Sequence, residues 1–144
     1  MSILKTLWNI IQSFFSLPAW VIIWIVVFLI PANFAGFWFL ELPSGIWIAG
    51  LGAGSILFNL ILVWLNKGFS KALALPHLVC WIPLCIYLWM RISAGSAVSE
   101  AEQILMLICA IINTISLGFD VKDGWEWLRG QRDVAGFEGQ PVRF

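Results

Sequence analysis

The sequence predicts an all-α membrane protein: four transmembrane helices in an up-down bundle, preceded by a short interfacial amphipathic helix. Three observations carry that expectation. First, the chain is 61% hydrophobic and only 11% charged over 144 residues, whereas water-soluble domains carry about 25% charged residues. So little polar surface cannot face water. Second, the apolar residues gather in four runs of roughly 17–25 residues, the length that crosses a bilayer core as helix. Third, threading those runs in turn places seven of the eight basic residues on one side, the asymmetry that orients membrane proteins.

Residues 1–16 form the expected interfacial helix. Ile3, Leu4, Leu7, Trp8, Ile10, Ile11, Phe14 and Phe15 share one face at 3.6-residue spacing, with Lys5, Asn9, Gln12 and Ser16 on the other. The segment is too short and too polar to span, and Trp8 suits headgroup depth. No cleavage site follows it, so Met1 onward is expected in the mature protein.

The bundle itself is expected over 17–121, with spans at 17–40, 46–65, 72–92 and 103–119. Pro18 suits a helix start, where its missing N–H costs nothing. Pro31 and Pro83 fall inside spans, where each removes a backbone hydrogen bond and favours a kink. From Asp120 the composition turns polar, so 122–144 reads as a cytoplasmic tail, docked at first by Trp125 and Trp127 and mobile in its glycine-rich remainder. Lys5, Lys67, Lys71, Lys122, Arg129, Arg132 and Arg143 lie on one side and Arg91 on the other. That distribution predicts a cell inner-membrane protein with both termini cytoplasmic. Trp20 and Trp64 then mark the inner boundary of the hydrocarbon, and Trp38, Trp47 and Trp89 the outer one.

Polar residues are costly inside a span, so each one asks for a partner. Asn59, His77 and Asn113 lie about 8–9 Å from the cytoplasmic ends of their spans at the helical rise, and so share one layer. Asn33, about 10 Å from the outer end of its own span, falls outside it. Ser55 shares a helix face with Asn59, and Ser116 and Asp120 share one with Asn113. These stripes are expected to meet around His77, either as interhelical hydrogen-bonding glue, as the lining of a path, or, with a single histidine and no second one, as a weak haem or metal ligand.

A second feature is Gly50-x-x-x-Gly54 with Ala49 and Ala53 in register, a small-residue face for close helix packing. Cys80, Cys85 and Cys109 are an odd count without CxxC or zinc spacing, which points to structural thiols. The formal net charge of +0 argues against nucleic acid as a partner. No catalytic constellation and no cofactor motif appears. The expected role is a non-enzymatic accessory, assembly or scaffold subunit, whose partners are the lipid bilayer and other membrane subunits or a second copy. The alternative is a homo-oligomeric small transporter or channel with its polar layer around His77, whose flux would respond to pH in the physiological range.

Overall fold

The computed structural model describes residues 3–138. Met1, Ser2 and 139–144, which include Arg143 and the end of the expected tail, lie outside that range. The described chain is helical: α1 (Ile3–Ser16), α2 (Ala19–Phe39), α3 (Pro43–Asn66), α4 (Lys71–Ser93) and α5 (Glu100–Leu128). Among the described residues there is no strand, only an isolated antiparallel bridge between Ser70 and Val134. Helices α2 to α5 are each long and apolar enough to cross a membrane.

Local chemistry explains the helix boundaries. Pro18 stands just before α2 in an extended conformation, at the N-cap. Pro31 does not break α2. The helix instead widens to a π-turn over Trp24–Leu29 immediately before it, which makes room for the ring that would otherwise collide with the carbonyl four residues back. A similar wide turn occupies Ile48–Ala53 of α3. That helix stops at Lys67, whose φ of 56° is left-handed, and Gly68 N–H then closes onto Val63 O at 3.0 Å. Pro83 sits within the unbroken helix Ala74–Ser93.

The fourth apolar run forms a longer helix than expected. α5 starts at Glu100, with Ser99 Oγ accepting from Glu102 N–H at 3.1 Å, and continues through Asp120 to Leu128. A run of charges ends a hydrocarbon-compatible segment, but it does not end a helix. Nothing in Asp120–Leu128 breaks one until Gly130, at φ 98°.

Consecutive long helices touch at named points. Gly36 of α2 meets Ala49 of α3, Gly52 of α3 meets Trp81 of α4, and α4 meets α5 both at His77–Asp120 and at Arg91–Glu102. The core they enclose holds Leu29, Ile48, Trp81, Leu84, Leu88 and Met106. Large apolar side chains cover the outside as well, among them Val27, Phe58, Ile61, Val79, Ile86, Ile108 and Ile115.

At one end, α1 and the chain after α5 close over the α3–α4 connection. Ser13 Oγ accepts from Phe69 N–H at 2.8 Å. Ala135 N–H donates to Phe69 O at 2.8 Å, and Val134 is buried. Residues 130–138, expected to be loose, are therefore pinned through backbone hydrogen bonds that composition does not reveal. The buried residues of α1 are Thr6 and Ser13, whereas Leu4, Trp8 and Phe15 point away from the protein.

Candidate functional site

The polar residues of the spans separate into two clusters. In the first, His77 of α4 is held on three sides. Its Nδ1 lies 3.2 Å from each carboxylate oxygen of Asp120 on α5, donating to Oδ1. Its Nε2 lies 2.7 Å from Asn59 Nδ2 on α3. One ring face stacks on Trp81, with centroids 3.7 Å apart and planes 8° from parallel. Helical spacing brings this about: His77 and Trp81 are one turn apart on α4, and α3 and α5 flank that turn.

The protonation of the ring follows from its neighbours. Asn59 Nδ2 also donates to Leu73 O at 3.0 Å. A carbonyl oxygen only accepts, so the amide nitrogen must face it, and the same nitrogen offers its second proton to Nε2. Nε2 is then the bare acceptor and Nδ1 carries the hydrogen donated to Asp120, which describes a neutral imidazole beside a carboxylate. Both ring nitrogens are engaged, so haem or metal ligation would require Asn59 or Asp120 to give way. Asn59 Oδ1 and Asp120 Oδ2 are buried without hydrogen-bond partners.

The second cluster contains a residue the sequence argument left out. Asn33 of α2 and Asn113 of α5, both fully buried, exchange hydrogen bonds through their amides, Nδ2 to Oδ1 at 2.8 Å one way and 2.9 Å the other. The spare proton of Asn33 Nδ2 goes to Leu29 O at 3.0 Å. Asn113 therefore belongs with Asn33 and not with Asn59 and His77. The expected single layer fails because α5 extends to Leu128, which places Asn113 near the helix middle.

Gly52 allows the Asn33–Asn113 pair to form. A Cβ there would stand 2.5 Å from Asn33 Oδ1. Gly52 O also links the two clusters, accepting from Ser55 Oγ at 2.8 Å and from Trp81 Nε1 at 3.2 Å. Ser55 is thus bound within its own helix. Ser116 accepts from Trp24 Nε1 at 3.0 Å, tying α5 to α2. Of the six residues proposed for one polar layer, Asn59, His77 and Asp120 come together; Asn113, Ser55 and Ser116 have other partners.

The expected small-residue face divides in two. Ala49 and Ala53 are buried inside the protein, where Gly36 lets α2 approach so closely that an added Cβ would lie 2.5 Å from Ala49 N. Gly50 and Gly54 face outward, and a Cβ on either would meet nothing within 4 Å. Exposed Ile46, Trp47, Leu57 and Phe58 border them.

At the opposite end from α1, Glu102 is fully buried. It accepts from Ser44 N–H at 2.9 Å and Val98 N–H at 2.8 Å, and takes the Arg91 guanidinium at 3.2 Å. One carboxylate thereby ties the α2–α3 turn to the α4–α5 loop. The motif Ser99-x-x-Glu102 is the sequence signal that could have singled it out, since it is the pattern of a helix-capping box. Two open apolar grooves mark the outer surface, one along Phe58, Leu62 and Val79 and one along Phe28, Pro31 and Ile108; neither is lined by His77, Asn59 or Asp120. Searches for similar proteins matched this chain to no family model, no curated protein and no solved structure.

Proposed function

We propose that this protein is a non-enzymatic accessory, assembly or scaffold subunit of the inner membrane, which threads the bilayer up and down four times with both ends in the cytoplasm. One observation carries the role. The polar side chains of the spans turn inward to partners within the chain, while two of the four glycines of α3, Gly50 and Gly54, are left uncovered on the outside. In lipid there is little hydrophobic drive between helices, so close backbone approach at small residues becomes a principal source of association.

The position of the basic residues supports the orientation. Lys71 sits with Glu126 and Gln131 at the end that also holds α1, whereas Arg91 lies at the other end with Glu102. Trp20, Trp38, Trp47, Trp64 and Trp89 all face outward, as interfacial belts require. The uncovered apolar side of α1, with its two buried residues polar, supports a helix lying in the membrane surface.

Gentle extraction followed by native mass spectrometry tests the role. Wild-type protein is expected in complex with a second copy or another membrane subunit, and the double variant Gly50→Leu/Gly54→Leu as a monomer of unchanged thermal stability. A wild-type protein that is a stable lone monomer would remove the basis of the proposal. A second reading, a small homo-oligomeric transporter or channel, rests on the two unpartnered acceptors beside His77. Liposome flux that survives His77→Ala unchanged would dispose of it.

A further inference from the structure

We infer that His77 is a proton-binding site that controls how firmly the α3–α4 connection is held. In the neutral state Asn59 Nδ2 shares its two protons between Leu73 O and His77 Nε2. A proton taken up from the aqueous face would go to Nε2, the ring nitrogen that carries no hydrogen in this arrangement, in place of the hydrogen bond it accepts from Asn59. The side chains of His77 and Asp120 keep 12% and 15% of their surface exposed, so the cluster is not sealed inside the protein. No covalent bond is made or broken elsewhere: one hydronium gives up its proton and the imidazole becomes imidazolium.

The consequence is a conflict of donors. Nε2–H then points at Asn59 Nδ2–H, and two donors cannot share a hydrogen bond. Rotating the amide by half a turn resolves the conflict, because Oδ1, which has no partner in the neutral state, then accepts from Nε2–H. The same rotation removes the donor from Leu73 O. Asp120 stabilises the new state from the other side of the ring as an ion pair with the imidazolium.

Leu73 closes the opening turn Lys71–Leu73 of α4, and that turn is where several segments meet. Lys71 holds Glu126 and Gln131, and Phe69 joins Ser13 of α1 to Ala135 beyond α5. Releasing Leu73 O therefore loosens the connection that clasps both chain ends. The charges around the ring are few. α5 presents Asp120, with Lys122, Asp123 and Glu126 further along. α4 contributes Lys71, and α3 offers no charge before Lys67 at its end. α2 has none, and α1 only Lys5.

The chain contains one histidine, so nitrogen NMR of protein labelled with ¹⁵N-histidine and held in nanodiscs reports a single ring. At about pH 8 the expected state has hydrogen on Nδ1 and none on Nε2; at about pH 5 both nitrogens carry hydrogen. Hydrogen exchange over residues 67–73, corrected for the intrinsic pH dependence, is expected to run about tenfold faster in acid, as the loss of one hydrogen bond implies. In His77→Gln that acid response is expected to vanish. A ring protonated on Nε2 at about pH 8, no acid response in the wild type, or an equal response in His77→Gln would each overturn the inference.

Discussion

The two polar clusters lie on either side of Gly52 and are built on opposite terms. The Asn33–Asn113 pair is neutral and fully buried, and its two amides answer each other through both donors and acceptors. The His77 cluster is partly exposed, contains an ionisable ring, and keeps two acceptors in reserve on Asn59 and Asp120. A satisfied pair has only one good arrangement and so fixes the register of α2 against α5. A cluster with unused acceptors has a second arrangement within reach. Polar groups in a span can thus serve as fastener or as switch, and the count of unmet hydrogen-bonding atoms tells which.

This difference sets the order of the mutational effects. Asn113→Leu leaves Asn33 Oδ1 without its amide donor and one of the two Nδ2 protons without an acceptor, the other still going to Leu29 O, at a fully buried site, and is expected to cost about 2 kcal/mol in reversible unfolding from lipid or detergent. The double change Asn33→Leu/Asn113→Leu should cost less than the sum of the single ones, because it leaves no orphaned amide; strict additivity in that cycle would break the fastener interpretation. Asn59→Leu is expected to cost only about 0.6 kcal/mol, the average for an interhelical polar contact in a membrane, since His77 is not fully buried and keeps Asp120 as a partner. Equal losses at Asn59 and Asn113 would erase the contrast between the clusters.

Much of this fold is written in its hydropathy. The four long apolar helices follow from lipid-length runs, and the neighbours of His77 could be anticipated because Asn59 and His77 lie at equal depth and Asp120 follows Asn113 by two turns. The Asn33–Asn113 pair could not. Depth was counted from the last apolar residue, Phe119, but α5 continues to Leu128, so the count placed Asn113 too near the inner end. The wide turns at Trp24–Leu29 and Ile48–Ala53 also shift the faces of α2 and α3 away from regular 3.6-residue spacing. Glu102 escaped notice for a different reason. It lies in a polar stretch that reads as a surface loop, and only its burial against Ser44 and Arg91 reveals it as a clasp.

Pairing of polar groups inside the chain, and the outward glycines of α3, have their meaning only if lipid surrounds these helices and both chain ends stay on one side of it. Single cysteines introduced into a background free of Cys80, Cys85 and Cys109 test that directly, using a maleimide that cannot cross membranes. Ser96→Cys, in the α4–α5 loop, is expected to react in intact cells, and Gly130→Cys, beyond α5, only after the cells are opened. Labelling of Gly130→Cys from outside intact cells would contradict the arrangement.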